Sequence, residues 1–261
     1  MDNLSAQKKA RYYRATVSSY ITNLIQLNNP WVAAWWSAAF PGMGHLMLGA
    51  YIKGFTLFIW EFIINVNAKI NLSMVYSFTG EFDKAKEVLD TDWILLYIPV
   101  YIASIWDGYR KSVDINKIYV LAIKEKAPVV PFTLGSLGLN FLDKRPPWLA
   151  LIWSMLMPGM GHLYLKRVPA GFFLLLCWIV CTYFSNLLPA LHLTLFGKFS
   201  IAKEAINAQW ALFMPSLYVF AVYESYKLAV EYNKLYKQEQ AEYLQKEYQD
   251  LSISIKKINE V

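Results

Sequence analysis

The chain has 261 residues, of which 56% are apolar and only 17% are charged, and its mean hydropathy is +0.29. Average soluble domains carry about 25% charged residues, so this composition excludes a disordered chain, a coiled-coil rod and most soluble enzymes. It indicates an all-α, polytopic helical membrane protein. The formal net charge of +6 would suggest a nucleic-acid partner in a soluble chain. In a membrane protein, the positions of the positive residues indicate orientation instead.

The first 29 residues are polar and basic, and they contain no apolar run of the length found in signal peptides. We therefore expect a basic N-terminal arm, 1–29, in the cytoplasm. Apolar and tyrosine residues between positions 12 and 25 recur at helical spacing. This spacing predicts either an amphipathic helix on an anionic leaflet or an ordinary packed helix.

An internal repeat organises the rest of the chain. The segment that begins at Pro30, PWVAAWWSAAFPGMGHLMLGAYIKGF, recurs 117 residues later at Pro147 as PWLALIWSMLMPGMGHLYLKRVPAGF. A second block, WDGYRKSVDINKIY, recurs at the same offset as YESYKLAVEYNKLY. Two motifs at one offset indicate a duplication. The predicted parts after the arm are a membrane repeat at 30–119, a basic cytoplasmic linker at 120–146, a second membrane repeat at 147–236 and a cytoplasmic helical tail at 237–261.

Each membrane repeat contains two apolar runs and a shorter apolar element before them. A full span needs about 20 apolar residues in a helix. The shorter elements offer only ten residues before a proline that stops the helix, and ten helical residues cover about 15 Å, half of the bilayer core. The runs lie at 54–66, 93–106, 171–188 and 210–223, and the shorter elements lie at 31–40 and 148–157.

The positive residues distinguish two topologies. With three spans per repeat, the linker would lie on the opposite side of the membrane from both termini. With two spans and one re-entrant or half helix per repeat, 20 of the 25 Lys and Arg residues lie on the side of the termini. The positive-inside rule favours this second topology, with four spans and both termini in the cytoplasm. Six short spans remain the alternative, because short helices can tilt or lie in a thin bilayer.

The hexapeptide PGMGHL occurs once in each repeat, where an apolar half helix ends. Broken backbone at membrane depth must be buried in protein or lie in a wet cavity. One interpretation is a structural turn that lets the half helix pack on the next span, and the other is a substrate or ion site between the repeats. Two histidines are too few for a metal site, so no metal is predicted. The residues of the two turns are Pro41, Gly42, Gly44, His45, Pro158, Gly159, Gly161 and His162.

These turns, followed by a glycine-led apolar run, resemble the TM2-type domain. That family is a pair of membrane helices joined by a short turn with a glycine-glycine-histidine-aromatic-tyrosine-leucine-glycine signature. Met47 replaces the tyrosine in the first copy, the spacing of glycine to histidine departs from the signature, and the arginine after histidine is missing. The residues that match are Gly159, Gly161, His162, Tyr164 and Leu165 in the second copy and Gly42, Gly44, His45, Leu48 and Gly49 in the first. The resemblance implies a multi-pass bacterial membrane protein without a defined chemistry.

Several charged residues lie in or near the apolar runs. Asp107 and Glu224 end the last run of each repeat, and Arg110 and Lys227 follow three positions later. One interpretation is an interfacial ion pair at each i, i+3 spacing, and the other has the carboxylates facing inward to the histidines as a cation or proton path. Glu61 occurs in the first repeat alone, where it could pair with a histidine or with Lys69, or mark a site present in one half only.

The predicted function is that of a non-enzymatic scaffold or assembly subunit in the cytoplasmic membrane. The sequence has no nucleotide-binding glycine loop, zinc-protease motif or nucleophile elbow, and no cofactor or catalytic residue is predicted. Expected partners are the bilayer, a membrane protein that binds the tail, and a further copy of the chain, but not nucleic acid. The alternative is a small transporter or channel with its path between the PGMGHL turns, and a weaker alternative is a membrane-embedded enzyme.

Overall fold

The computed structural model describes residues 11–135 and 138–248, and this part of the chain is mostly helical. The helical fold class predicted from the sequence is thereby confirmed. The first ten residues of the predicted arm and residues 249–261 of the predicted tail lie outside the described residues. The described part of the tail continues the last long helix to Tyr248.

The helices form two structural units, which we call unit 1 and unit 2. The helices of unit 1 are α1 (Pro30–Ala39), α2 (Met43–Met47), α3 (Tyr51–Ala68), α4 (Ile70–Phe78), α5 (Phe82–Val88) and α6 (Thr91–Lys124). The helices of unit 2 are α7 (Pro147–Leu156), α8 (Met160–Tyr164), α9 (Val168–Phe184), α10 (Leu187–Leu195), α11 (Phe199–Ala205), α12 (Ala208–Ala211) and α13 (Phe213–Tyr248).

The two units repeat helix by helix. Each helix from α1 to α6 begins 117 residues before its counterpart from α7 to α12. The breaks between helices also match, since Lys69 and Asn186 both adopt the left-handed conformation with φ of 55°. Gly80 and Gly197, which end α4 and α10, have φ of 82° and 73°. The duplication therefore extends over segments between the apolar runs, where the two sequences have little in common.

Short strands precede the helices of each unit. Unit 1 begins with the hairpin of β1 (Ala15–Val17) and β2 (Thr22–Leu24), and unit 2 begins with the hairpin of β4 (Phe132–Gly135) and β5 (Gly138–Phe141). The pairing of Ala15 with Leu24 recurs 117 residues later as Phe132 with Phe141. A further strand, β3 (Val129–Val130), pairs in parallel with β1. The repeated unit of the structure thus begins before residues 30 and 147.

The helix predicted for residues 12–25 is therefore wrong. Thr16, Val17 and Thr22 are β-branched and fit a strand, and backbone groups of the hairpin are bound by distant residues. Asn140 donates its side-chain N–H to the carbonyl of Ser18 at 2.7 Å, and Tyr232 donates its hydroxyl to the carbonyl of Thr22 at 2.6 Å. These tertiary contacts stabilise a hairpin that would be too short to persist alone.

Packing within each unit follows one plan, and an apolar core joins the units. In unit 1, α1 lies along α6, and in unit 2, α7 lies along α13. The core between the units contains Trp36, Phe40 and Phe58 from unit 1, and it contains Leu217 and Phe220 from unit 2. The two units consequently form a single packed body.

A helix that crosses a bilayer needs both a minimum length and a high hydropathy. No single helix within residues 11–135 and 138–248 meets both requirements. Three bent pairs meet them together: α5 with α6, bent by 89°, α9 with α10, bent by 61°, and α11 with the helix that starts at Ala208, bent by 81°.

Candidate functional site

Each PGMGHL segment forms a sharp turn between two helices. In unit 1, α1 ends at Ala39, and the next residue, Phe40, is extended because a following proline disfavours helical backbone. Pro41 is buried, and Gly42 then adopts φ of +100° and starts α2. Unit 2 repeats the turn at Pro158, also buried, and at Gly159, whose φ is +99°.

The glycines of the turn let three backbones approach closely. A Cβ atom on Gly42 would lie 2.5 Å from the carbonyl oxygen of Gly54 in α3. A Cβ atom on Gly44 would overlap the carbonyl oxygen of Ala33 in α1, and Gly161 has the same relation to Ala150 in α7. Residues other than glycine would therefore push α2 or α8 away from its neighbours. This packing favours the structural interpretation of the turn.

The turn histidines meet the carboxylates that end the apolar runs. His45 Nε2 lies 2.8 Å from Asp107 Oδ2, and His162 Nε2 lies 2.5 Å from Glu224 Oε2. Both histidine rings are buried, at 0% and 1% exposure. Each pair ties a short helix, α2 or α8, to a long helix, α6 or α13. The carboxylates thus face inward, as the second sequence interpretation has it.

A cation joins each pair, and neither cation was predicted from the sequence. Lys53 Nζ lies 3.0 Å from Asp107 Oδ2, and Arg167 Nη1 lies 2.9 Å from Glu224 Oε1. Lys53 lies within α3, whereas Arg167 caps the start of α9. Their positions are not equivalent under the offset of 117 residues, so comparing the two halves could not reveal that they play the same part.

Each unit thus contains a charged group made of a histidine, a carboxylate and a cation, and the two groups differ strongly in burial. Arg167, Glu224 and His162 are all almost completely buried in unit 2. In unit 1 the side chains of Lys53 and Asp107 are exposed by 61% and 34%. The guanidinium of Arg167 also lies over the ring of Tyr51 from unit 1, at 5.8 Å from the ring centre. The unit 2 group therefore contributes to the junction between the units.

The ion pairs predicted within the helices are not the contacts that the structure shows. Arg110 lies over the ring of Trp106, 5.4 Å from its centre, instead of pairing with Asp107. Lys227 Nζ donates a hydrogen bond of 2.7 Å to Asn28 Oδ1 near the start of α1. Because each carboxylate faces its histidine, the basic residue three positions later in the sequence contacts other partners. The i, i+3 interpretation of these four residues is corrected accordingly.

Glu61 belongs to a buried polar cluster between the units. Its Oε1 accepts a hydrogen bond of 2.8 Å from Asn65, and Asn65 bonds to Asn71. The side chain of Gln209 in α12 donates to Asn65 at 2.9 Å, and the backbone carbonyl of Gln209 accepts from the Asn71 side chain at 3.0 Å. The predicted pairing of Glu61 with a histidine or Lys69 is thus replaced by an amide cluster that holds α3 and α4 against α12.

Asparagines also fix the start of each half helix. Asn116 in α6 donates to the carbonyl of Asn28 at 2.7 Å and accepts from its backbone N–H at 2.9 Å. Asn233 in α13 makes the same two bonds to the backbone of Arg145, at 2.7 and 2.8 Å. The repeated Asn-Lys in the second sequence block was the signal for this contact.

A cationic cavity of about 440 Å³ lies between the first hairpin, the α2–α3 turn, α6 and Arg167. Arg14, Lys111 and Arg167 line it, and none of the described lining residues is acidic. Gln26 Oε1 and Arg167 Nε are buried without a hydrogen-bond partner among the described residues. The three cations and the free N–H of Arg167 suit an anionic group such as a phosphate, whereas Gln26 Oε1 can only accept a hydrogen bond.

No cluster of three or more metal-ligating side chains occurs among the described residues. The two cysteines, Cys177 and Cys181, are buried free thiols in α9. The chain matches no family model, no curated protein and no solved structure. The resemblance to the TM2-type domain therefore stays a prediction.

Proposed function

We propose that the chain is an integral protein of the cytoplasmic membrane, with both termini in the cytoplasm, that acts as a non-enzymatic scaffold or assembly subunit. The observation that carries this proposal is a set of outward positions that are large and apolar in both units. These exposed pairs are Trp31 with Trp148, Ile59 with Leu176, and Ile102 with Val219.

Such a surface is unfavourable in water. Apolar surface costs about 25 cal/mol for each Å² that water covers, and large exposed apolar patches mark contact with a membrane or a protein. Both units carry this apolar exterior on the same helices, as expected if lipid surrounds the whole body. The bilayer is accordingly the first partner in the proposal.

The proposed orientation rests on the charges. The cationic cavity with Arg14, Lys111 and Arg167 lies on the side of the hairpins and of the basic linker. Anionic headgroups of the cytoplasmic leaflet attract such basic residues. In this arrangement α3, α6, α9 and α13 provide four spans, and α1 with α2 and α7 with α8 form the re-entrant elements. The 18 residues of α3 cover about 27 Å, slightly less than a bilayer core, which local thinning can accommodate.

Cysteine labelling tests this orientation. In a background with Cys177→Ala and Cys181→Ala, we expect Lys86→Cys to react with a membrane-impermeant maleimide in intact cells. Lys124→Cys, at the linker side, should react only after the cells are opened. Both lysines are exposed, so accessibility to the reagent is matched. Labelling of Lys124→Cys in intact cells would make the four-span topology wrong and support six spans.

The geometry of the turns supports a scaffold over a transporter. Both histidines are buried and bound to carboxylates, and the turn glycines are required by packing. Phe40, next to the first turn, packs against Phe58 at 4.2 Å between ring centres and against Phe213 at 5.8 Å. Aromatic side chains therefore pack directly beside this turn.

Affinity purification separates these functions. We expect a membrane protein to copurify with the full chain and to be lost when residues 239–261 are removed. This truncation keeps Gln238, which binds Arg14 and holds the described tail to the first hairpin. Reconstituted vesicles should show no solute flux. Flux that disappears in His45→Ala and His162→Ala variants, with no partner recovered, would favour the transporter instead.

A further inference from the structure

The contact between the two units runs in one direction only. Trp36 of unit 1 packs against Phe220 and Tyr223 of unit 2, with ring centres 5.2 and 5.3 Å apart. The residues equivalent to Trp36 and Tyr223 are Trp153 of unit 2 and Trp106 of unit 1. If the two units were related by a two-fold axis, these two tryptophans would pack against each other in the same way. Both of these tryptophans are instead exposed, by 38% and 59%. The chain therefore uses one surface of each unit and leaves the equivalent surface of the other unit open.

We call the two surfaces the knob face and the groove. The knob face of unit 1 consists of Trp36, Phe40, Phe55 and Phe58, and its equivalent in unit 2 consists of Trp153, Met157, Phe172 and Leu175. The groove of unit 2 consists of Phe173, Leu174, Leu217, Phe220 and Tyr223, and its equivalent in unit 1 consists of Thr56, Leu57, Val100, Ala103 and Trp106.

Burial shows which surfaces are occupied. In the occupied groove, Leu174, Leu217 and Phe220 are buried to 1% exposure or less. The open groove of unit 1 forms a cleft of about 450 Å³ between α3 and α6. The open knob face of unit 2 exposes 58% of Phe172. An apolar cleft on unit 1 and an apolar projection on unit 2 thus both remain uncovered in one molecule.

We propose that these open surfaces bind each other between copies of the chain, so that the knob face of unit 2 docks in the groove of unit 1 of the next copy. The contact between the units within the chain shows that surfaces of these two kinds fit together. Because each copy keeps one open face of each kind, the contact is heterologous, and it generates a ring if the rotation closes or a filament if it does not.

The polar contacts of the interface within the chain are not all repeated between copies. Within the chain, Lys227 donates a hydrogen bond to Asn28. The equivalent residues between copies are Arg110 and Arg145 of the next copy, which carry like charges. In place of the amide pair of Asn65 and Gln209, a contact between copies would bring together Thr182 and Asp92. Association between copies is therefore weaker than the contact within the chain, and it is reversible.

The inference goes beyond the proposed function and does not depend on the bilayer, since the two open faces exist in either setting. Disulfide cross-linking in cells tests it, in a background with Cys177→Ala and Cys181→Ala. Two chains with different tags would be co-expressed, one with Thr56→Cys and the other with Phe172→Cys. The equivalent pair within the chain, Phe55 and Phe173, has ring centres 4.3 Å apart. We expect iodine oxidation to give a dimer that carries both tags.

Two controls accompany this experiment. Ile59→Cys with Leu176→Cys uses positions that are exposed in both units and belong to neither surface, so no dimer is expected. Phe55→Cys with Phe173→Cys in one chain should form an internal link, which shows that the fold and the oxidant are sound. An internal link without the two-tag dimer would overturn the proposal. Equally efficient linking of Phe172→Cys chains to one another would indicate a two-fold contact and would also overturn it.

A groove-filling variant gives a second measurement. Ala103→Trp places an indole in the open groove of unit 1, where the native side chain is exposed. We expect this change to abolish the two-tag dimer while the internal control link still forms. Ile59→Trp adds the same side chain outside both surfaces and should leave the dimer unchanged. A dimer that persists in the Ala103→Trp chain would contradict docking in this groove.

Discussion

Replacing Glu224 by alanine is expected to lower the free energy of unfolding by about 3–5 kcal/mol, because it leaves a buried arginine without its counter-charge. Glu224 accepts from Arg167 at 2.9 Å and meets His162 at 2.5 Å, and all three side chains are buried. The loss can be measured as a shift of the unfolding curve when purified protein in detergent micelles is titrated with SDS.

The duplicated chain supplies its own control for this prediction. Asp107 is the equivalent of Glu224, but its cation Lys53 is largely exposed, and exposed ion pairs contribute at most about 1 kcal/mol. We therefore expect Asp107→Ala to cost clearly less than Glu224→Ala. Equal losses in the two variants would show that burial of Arg167 does not set the size of the effect.

The repeat and its helices could be predicted from the sequence, whereas the hairpins could not. The PGMGHL turn and the Asn-Lys block are both motifs whose positions are read directly from the chain. Residues 12–25 show a helical spacing of apolar side chains, yet they form a hairpin because Asn140 and Tyr232 bind its backbone. Contacts from more than a hundred residues away decided the local structure, and no local pattern could contain them.

The candidate site was predictable only in part for a related reason. The histidines and carboxylates recur at the repeat offset, so their pairing was among the sequence interpretations. Arg167 and Lys53 do not recur, since Ala50 and Ala170 occupy the equivalent positions. Each cation reaches its carboxylate from a different place in the fold. The two copies of the site therefore differ in the burial of their charges. Because the two cations occupy non-equivalent positions, an alignment of the copies does not reveal this difference.

This divergence agrees with the unequal surroundings of the two sites. The side chain of Arg167 lies at the junction of the units, over Tyr51, so its charge is covered by unit 1. The pair of Lys53 and Asp107 lines the open groove of unit 1. A buried cation is tolerated where a counter-charge lies beside it, as Glu224 lies beside Arg167. The position of each unit in the chain therefore explains which site became buried.

Replacing Gly159 by alanine is expected to cost at least about 3 kcal/mol of unfolding free energy, because two penalties combine at this position. Its φ of +99° is a conformation that other residues adopt only with strain. The added Cβ would also lie 2.9 Å from the backbone nitrogen of Leu175 and closer still to the carbonyl oxygen of Gly171. Backbone atoms cannot turn away as a side chain can, so α8 must separate from α9.

Gly197 separates the two penalties. Its φ is +73°, and nothing lies within 4 Å of the Cβ that alanine would add. Gly197→Ala should therefore cost only the conformational part, about 1–2 kcal/mol. The difference between the two variants, measured in the same SDS titration, reports the close approach of the turn to α9. If Gly159→Ala were no worse than Gly197→Ala, the turn glycine would be needed for its backbone conformation alone, and tight packing would not explain why PGMGHL occurs in both units.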